Sequence, residues 1–317
     1  MAQPRLQSGT DTRTERLPMS IVRDIVKNKY LYIMLFPVIA FFVIFQYLPM
    51  YGATIAFKDF NPRIGISGSP WVGLEHFKDF FGGIYFWRVL KNTLLISLYD
   101  LVFGFPAPLI LALLLNEVKN AFFKRSVQTI TYLPHFISIV IICGMIKDFT
   151  NSDGVINDII AFFGGERISL LLEPEWFRTI YVSSNIWQHV GWGTIIYLAA
   201  LSAIDPEQYE ACKIDGGGRW KQMLHVTLPG LLPVFVILLI MDIGRIMSVG
   251  FEKIILLYNP TTYVTADVIS SYVYRIGLQD FQFSFSSAVG LFNSVINFTL
   301  VIASNWLSRK LNDTSLW

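Results

Sequence analysis

Ionisable side chains stand inside long apolar stretches of this sequence, where each carries a large energetic cost. Asp242 and Arg245 lie three residues apart in one such stretch, so a helix would place them on one face. A charged side chain at the centre of a bilayer costs roughly 2.5–3.5 kcal/mol on insertion scales. Two roles stay open for the pair. The charges neutralise each other within a helix bundle, or Arg245 faces water and binds a hydroxyl or carboxylate through its planar guanidinium.

Other apolar stretches carry further polar residues at helical spacing. In one, two amides, a histidine and a tryptophan fall within two turns; in another, two asparagines are spaced i, i+4. Such groups suit contact with a polar solute, and they suit hydrogen bonds between membrane helices equally well. With the charged pair they form a candidate set of pathway residues: Asn185, Gln188, His189, Trp192, Asp242, Arg245, Asn293 and Asn297.

Patterns typical of catalysis or metal binding are not found in the sequence. It contains no G-x-x-x-x-G-K-[ST] phosphate loop. Cys143 and Cys212 lie in unrelated segments without metal-type spacing. The net charge of +2, without a basic stripe, argues against nucleic-acid binding. We predict no catalytic residue, no metal site and no cofactor on this chain, and no nucleic-acid partner.

Composition and patterning predict that membrane-spanning helices position these residues. The chain is 53% hydrophobic and only 15% charged, and its apolar residues are arranged in long blocks. A helix needs about 18 or more apolar residues to cross a hydrocarbon core roughly 30 Å thick. We predict an all-α membrane protein whose six transmembrane helices are surrounded by lipid. These helices are predicted at residues 33–51, 93–115, 132–146, 180–201, 231–249 and 288–307.

The distribution of lysine and arginine predicts the orientation of these spans. The segments 1–30, 116–130 and 203–230 hold six, three and three of the 25 basic residues, and the C-terminus holds two. Ten more lie in the longer segments of the opposite face, and Arg245 is within a span. Both termini are therefore predicted to be cytoplasmic. The predicted organisation is a basic tail at 1–30, a transmembrane domain at 31–310 and a C-terminal tail at 311–317.

The loop between predicted spans four and five contains signals for the start and the stop of a helix. Asp205 is followed by proline, and aspartate caps free amides while proline fits the first helical position. Gln208 completes the spacing of a capping box. The glycines at 216–218 favour termination. A second short helix is predicted from 219 to about 225, ending before Pro229. An ordinary surface loop is the alternative to a docking element.

Within this loop the sequence resembles a family motif. The residues in question are Glu210-Ala211-Cys212, Asp215-Gly216 and Thr227-Leu228-Pro229. Together they resemble the E-A-A loop of binding-protein-dependent ABC importer permeases, with Cys212 and Gly217 at positions where the family has other small residues. The resemblance implies that the helix in this loop, a coupling helix within 203–230, docks onto an ATPase subunit. It assigns coupling to Glu207, Tyr209, Glu210, Ala211, Asp215 and Gly216.

Stretches outside the loop extend the resemblance over roughly residues 30–310. The run Trp71-Val72-Gly73-Leu74-Glu75-His76-Phe77 resembles the segment before the second span of sugar permeases. Three further runs resemble a subgroup that imports oligosaccharides, including alginate and pectin fragments. They are Asp267-Val268-Ile269, Tyr272-Val273-Tyr274-Arg275 and Asn305-Trp306-Leu307.

The resemblance implies a permease subunit that forms half of the pathway for a sugar or oligosaccharide, with an acidic fragment such as alginate among the candidates. The implied partners are a second homologous permease in a heterodimer, two cytoplasmic ATPase subunits that bind ATP and Mg, and an extracytoplasmic solute-binding protein. The implied location is the bacterial inner membrane. An ion-coupled secondary transporter is the alternative. It would place ionisable groups at broken helices near the midplane, and it leaves the loop 203–230 unexplained.

Overall fold

A computed structural model describes Asp24 and residues 26–312, with side chains described as far as residue 310. The predicted basic tail 1–30 therefore lies outside the described residues except for Asp24 and 26–30, and most of the predicted tail 311–317 lies outside them as well. The described part consists of helices and connecting turns, with one isolated antiparallel bridge between Lys58 and Trp71 and no strand. The all-α prediction is confirmed for this part of the chain.

The helices can be labelled in chain order. They are α1 Lys29–Phe57, α2 Glu75–Gly82, α3 Phe86–Glu117, α4 Ala121–Phe136, α5 Ile139–Thr150, α6 Val155–Phe162, α7 Pro174–Ser202, α8 Pro206–Ile214, α9 Arg219–Ile243, α10 Phe251–Leu257, α11 Ile269–Tyr274 and α12 Phe283–Asn312. The chain divides into two units, residues 1–54 and 55–317, and α2 to α12 all belong to the second.

Four of the described helices are long and apolar enough to cross a membrane: α1, α3, α9 and the Phe283–Lys310 part of α12. A bent pair, Ala121–Phe136 with Ile139–Phe162, makes a fifth if it counts as one span. Helix α7 covers the predicted fourth span and has 29 residues, which is sufficient length. Its polar residues Asn185, Gln188 and His189 lower its hydropathy, so it is not among the four.

Residues 132–146 do not form the single helix that the sequence predicted. Leu133–Phe136 is a tight 3-10 turn, and the next two residues, Ile137 and Ser138, have extended ψ angles of 136° and 138°. The helix axes on either side meet at 103°. Extended backbone cannot continue an α-helix, so this apolar stretch bends where the prediction had a straight span.

The prediction that a short helix would end before Pro229 is wrong. Residues Arg219–Ile243 form one continuous helix, and Pro229 lies two residues after the end of a π-helical turn at Met223–Thr227. A wider turn relieves the steric conflict that proline creates with the preceding turn of an α-helix. The same helix ends at Ile243, so residues 244–249 of the predicted fifth span lie beyond its end.

The largest apolar cluster joins α3, α5, α7 and α10. Ile96, Ile142, Phe177 and Ile254 are each fully buried within it. These residues come from helices far apart in the chain, so the cluster fixes the relative positions of α3 and α7, which border the candidate site described below.

A buried ion cluster holds the segment before α11 against α3. Asp267 is 0% exposed and accepts hydrogen bonds from Arg88 Nη2 at 3.0 Å, from Arg275 Nη2 at 2.7 Å and from Ser271 Oγ at 2.9 Å. Burial alone would lower the pKa of Arg275, but its hydrogen bonds to Asp267 and the carboxylate charge raise that pKa above its usual value. Charge pairing therefore holds this segment in place.

A buried amide extends this cluster to α7. Asn92 is 1% exposed and donates to the backbone oxygen of Asp267 at 3.0 Å. Its Oδ1 accepts from Arg178 Nη2 at 2.9 Å. The network thus joins α3, α7 and the segment before α11 through hydrogen bonds that are largely removed from water.

Candidate functional site

A polar cavity of about 620 Å³ lies among α3, α7 and α9. A smaller cavity of about 200 Å³ shares several lining residues with it and extends to Tyr181 and Gly250. Because of this shared lining we treat the two as one, called here the polar cavity. The polar side chains that line its larger part are Asp100, Asn185, His189, Trp192, Tyr197, Asp242, Arg245 and Ser248.

The structure brings five of the eight predicted pathway residues together in this cavity. Asn185, His189 and Trp192 come from α7 at spacings of four and three residues, which places them on one side of the helix. Asp242 lies near the end of α9, and Arg245 follows directly after it. One helix face and one helix end therefore form most of the polar lining.

The three other predicted residues lie elsewhere. Gln188 is 5% exposed and packs away from the cavity. Asn293 lines a separate, mostly apolar cavity of about 530 Å³. Asn297 accepts from the backbone amide of Met247 at 3.1 Å and donates to Ser248 Oγ at 2.8 Å, so it joins α12 to the segment that follows α9.

Asp242 and Arg245 are joined through their backbones rather than through their charges. The amide of Arg245 donates to the backbone oxygen of Asp242 at 2.9 Å. Within the described part of the chain, the two side chains form no ion pair at 4.0 Å or less. Arg245 is exposed to the cavity. Its guanidinium is therefore available to a solute.

Two histidines meet at the rim of the cavity. His135, which lies at the bend between α4 and α5, has its Nδ1 3.2 Å from Nδ1 of His189. Its ring also stacks on Trp192, with centroids 4.5 Å apart and an angle of 3° between the planes. One of the two nitrogens must donate and the other accept, so the contact holds only if at least one ring is neutral.

Helix α8, in the loop between α7 and α9, begins and ends where its sequence predicted, although the capping box expected at Gln208 does not form. Asp205 caps α8 by accepting from the amide of Glu207 at 2.9 Å. At the other end Gly216 has φ +75°, a conformation that glycine adopts without strain. The amide of Gly217 closes the turn on the carbonyl of Cys212 at 2.8 Å.

Helix α8 is fastened to the first turns of α9. The hydroxyl of Tyr209 lies 3.1 Å from Thr227 Oγ1 in the π-helical turn, and Gln222 Nε2 donates to the carbonyl of Gly217 at 3.0 Å. The side chain of Tyr209 thus points toward its own chain, although the sequence predicted that it would be presented to a partner. The candidate coupling residues that remain exposed are Glu207, Glu210, Ala211, Asp215 and Gly216.

The geometry of the loop and the cavity can be compared with known proteins. The sequence pattern of the family described as "Binding-protein-dependent transport system inner membrane component" matches residues 104–313. This range includes α7, the whole of the loop, α9 and α12, and it covers most of the chain. The chain belongs to this family.

Relatives of this permease match it over nearly its whole length. It is 47% identical over 294 residues, 92% of each chain, to the polygalacturonan/rhamnogalacturonan transport system permease protein YteP of Bacillus subtilis (strain 168). It is 46% identical over 292 residues, again 92% of each chain, to Protein LplB of the same organism. A chain in the crystal structure of a bacterial alginate ABC transporter in complex with an alginate pentasaccharide-bound periplasmic protein superposes with a TM-score of 0.87. That chain is 45% identical, and the match covers 95% of this permease and 100% of that chain.

These matches establish what kind of protein this is. The chain is a permease subunit of an ABC importer and an integral inner-membrane protein, not an enzyme. The resemblance that the sequence motifs indicated is confirmed.

The structure adds lining residues of the permease that sequence reasoning did not include. Asp100 lies in a π-helical turn of α3 and accepts from Asn185 Nδ2 at 2.9 Å. Tyr197 lines the cavity, and its hydroxyl has no hydrogen-bond partner among the described residues. The one signal available for Asp100 was a carboxylate within an apolar stretch, the same signal that had identified Asp242.

Proposed function

We propose that this permease forms half of the translocation pathway for an oligosaccharide that contains uronic acid units. The observation that carries the proposal is the cavity-exposed Arg245, which lies beside amide, imidazole and indole groups that suit a hydroxyl-rich solute. The names of the relatives support it: polygalacturonan is a polymer of galacturonate, and the matched crystal structure concerns alginate. An extracytoplasmic binding protein would deliver the solute, as the periplasmic protein in that structure suggests.

Uptake by reconstituted vesicles tests this proposal. The assembled transporter is placed in vesicles with ATP inside, and its binding protein and labelled trigalacturonate or galactotriose are added outside. We expect ATP-dependent uptake of the trigalacturonate. Uptake of galactotriose without any uptake of trigalacturonate would contradict the proposal.

The proposed assembly includes a second homologous permease in a heterodimer and two cytoplasmic ATPase subunits that bind ATP and Mg. In it, the exposed side of α8 docks onto one ATPase subunit, with Glu207, Glu210 and Ala211 at the contact. Support comes from the geometry of the loop. The helix is capped at one end, stopped by glycine at the other and fastened to α9, so movement of α8 would be transmitted directly to α9 and the cavity.

The proposed topology has six spans, with α7 as one of them and both termini cytoplasmic. Reporter fusions at residue 10 and after residue 310 should both give a cytoplasmic signal, because the basic segments share that face. A fusion after Gly165, between α6 and α7, should give an outward signal. An outward signal from either terminal fusion would contradict the six-span arrangement.

Replacing Arg245 by methionine should weaken uptake of trigalacturonate about tenfold or more, since a carboxylate loses charge-assisted hydrogen bonds worth roughly 1.5–3 kcal/mol. Uptake of galactotriose should fall less, because hydroxyl groups bind a guanidinium more weakly. The measurement is initial uptake of both sugars at equal amounts of intact complex.

A double variant, Asp242→Leu with Arg245→Met, serves as its control. If the arginine mattered only by compensating Asp242, the single variant would assemble poorly and the double variant would recover both assembly and uptake. Full uptake of trigalacturonate by the double variant would therefore rule out the solute-binding role. Loss of uptake with intact assembly in both variants would support it.

A further inference from the structure

Lys253 is a buried cation that has neither an ion-pair partner nor a hydrogen-bond acceptor among the described residues. Its side chain, on α10, is 4% exposed, and Nζ has no hydrogen-bond partner among the described residues. The nearest aromatic ring is that of Tyr181, whose centroid lies 5.3 Å from Nζ. An unpaired ammonium inside a membrane protein costs several kcal/mol, so its presence indicates a functional role rather than a packing role.

The apolar surroundings of Lys253 screen its charge only weakly. Helix α10 packs against α5, and Cys143 of α5 together with Ile254 belongs to the apolar cluster around it. Charges in such a low-dielectric environment are poorly screened. The ammonium therefore acts on the polar cavity from behind its wall, where Tyr181 stands between the two. Tyr181 lines the smaller part of the cavity together with Asp100.

The charges that line the cavity do not balance without Lys253. Among the described residues, its lining contains two carboxylates, Asp100 and Asp242, and one guanidinium, Arg245. These three groups sum to one negative charge, which would repel a uronate. Adding the ammonium of Lys253 gives two charges of each sign.

We propose that Lys253 is a specificity-determining residue that makes the cavity electrically neutral and so permits the passage of an anionic sugar. It acts through the wall formed by Tyr181 and does not touch the solute. The inference rests on the proposed function, since it concerns the same cavity and the same class of substrate. It goes further by assigning the preference for charge to a residue outside the lining.

The test replaces Lys253 by methionine in the assembled transporter and measures uptake of trigalacturonate and galactotriose by vesicles. Uptake of trigalacturonate should fall about tenfold, while uptake of galactotriose should change less than about twofold, because only the anion meets the uncompensated carboxylate. The midpoint of thermal unfolding should stay the same or rise, since an apolar side chain of similar length replaces an unpaired buried charge.

Two further variants sharpen the result. Lys147→Met removes a positive charge from an exposed position on the neighbouring α5, and it should leave the ratio of the two uptake rates unchanged. Adding Asp100→Asn to Lys253→Met restores a neutral cavity with almost no change of shape, so it should recover uptake of trigalacturonate.

Several outcomes would overturn the inference. An equal fall in uptake of both sugars, or a lower unfolding midpoint, would assign Lys253 a structural role. The inference would also be wrong if Lys253→Met left uptake of trigalacturonate unchanged, or if adding Asp100→Asn did not restore that uptake. In either case the proposed function would still stand. If the unaltered transporter imports galactotriose but no trigalacturonate, the proposed function fails, and the inference fails with it. If it imports neither sugar, the proposed function fails together with the inference.

Discussion

Replacing Asp267 by asparagine is expected to destabilise the permease by about 3–5 kcal/mol, the cost of removing one partner from a buried ion pair. Asp267 is 0% exposed and binds Arg88 and Arg275. A neutral amide would leave two guanidinium groups close together without a counter-charge. The loss should appear as a lower midpoint of thermal unfolding for the purified complex, with the spans still inserted in the membrane.

Asp158→Asn is the matched control for this experiment. Asp158 pairs with Arg167 at 2.6 Å, but its side chain is 57% exposed and that of Arg167 is 44% exposed. Exposed pairs contribute about 0–1 kcal/mol, because water already solvates both charges. If Asp267→Asn shifted the unfolding midpoint no more than Asp158→Asn does, the ion cluster would not be holding the segment before α11 in place.

Two members of this ion cluster lie in the runs that resemble the oligosaccharide-importing subgroup. Asp267 begins the first of these runs and Arg275 ends the second. Their spacing of eight residues did not by itself indicate that they touch. The third partner, Arg88, lies 179 residues away along the chain from Asp267. A partner at that distance depends on how the helices pack, and no local pattern encodes it.

Local signals gave the most accurate predictions. Asp205 and Gly216 mark the ends of α8 correctly because capping and a left-handed residue depend only on neighbours in the chain. Hydropathy located the long helices for the same reason, since it requires only a run of apolar residues. Hydropathy carries no information about the direction of the helix axis, and therefore it missed the bend at Ile137 and Ser138. It also missed the π-helical turn that lets α9 continue through Pro229.

The cavity was predictable in part. Residues on one face of α7 could be grouped by helical spacing, although Gln188 shows that a face estimated from sequence is too broad. The sequence could not show which side chains of α3 and α9 would meet that face, because the arrangement of helices depends on tertiary packing. Lys253 illustrates the same point. Its position in the sequence suggested an outward loop, whereas the fold buries it behind the cavity wall.

Replacing Gly216 by proline should uncouple ATP hydrolysis from transport. Gly216 has φ +75°, whereas proline fixes φ near −65°. The amide of Gly216, which proline lacks, also donates to the carbonyl of Lys213 at 3.0 Å. Enforced backbone strain costs about 1–3 kcal/mol. If that loss falls on the transition state of substrate-stimulated hydrolysis, the ATPase rate should drop about 5–150-fold. Affinity of the binding protein for its sugar should not change.

Gly218→Pro is the control that separates the backbone geometry from the mere presence of proline. Gly218 has φ −73°, close to the angle that proline requires, and an added Cβ there would meet nothing within 4 Å. The same substitution two residues away should therefore keep most of the coupled activity. If both variants lost coupling equally, general damage to the loop would explain the result. If Gly216→Pro hydrolysed ATP normally in response to substrate, α8 would have no part in coupling. A role for α8 in coupling is supported only if Gly216→Pro loses coupled ATPase activity while Gly218→Pro keeps it, with assembly intact in both. The orientation of α8 would then depend on the left-handed conformation of Gly216.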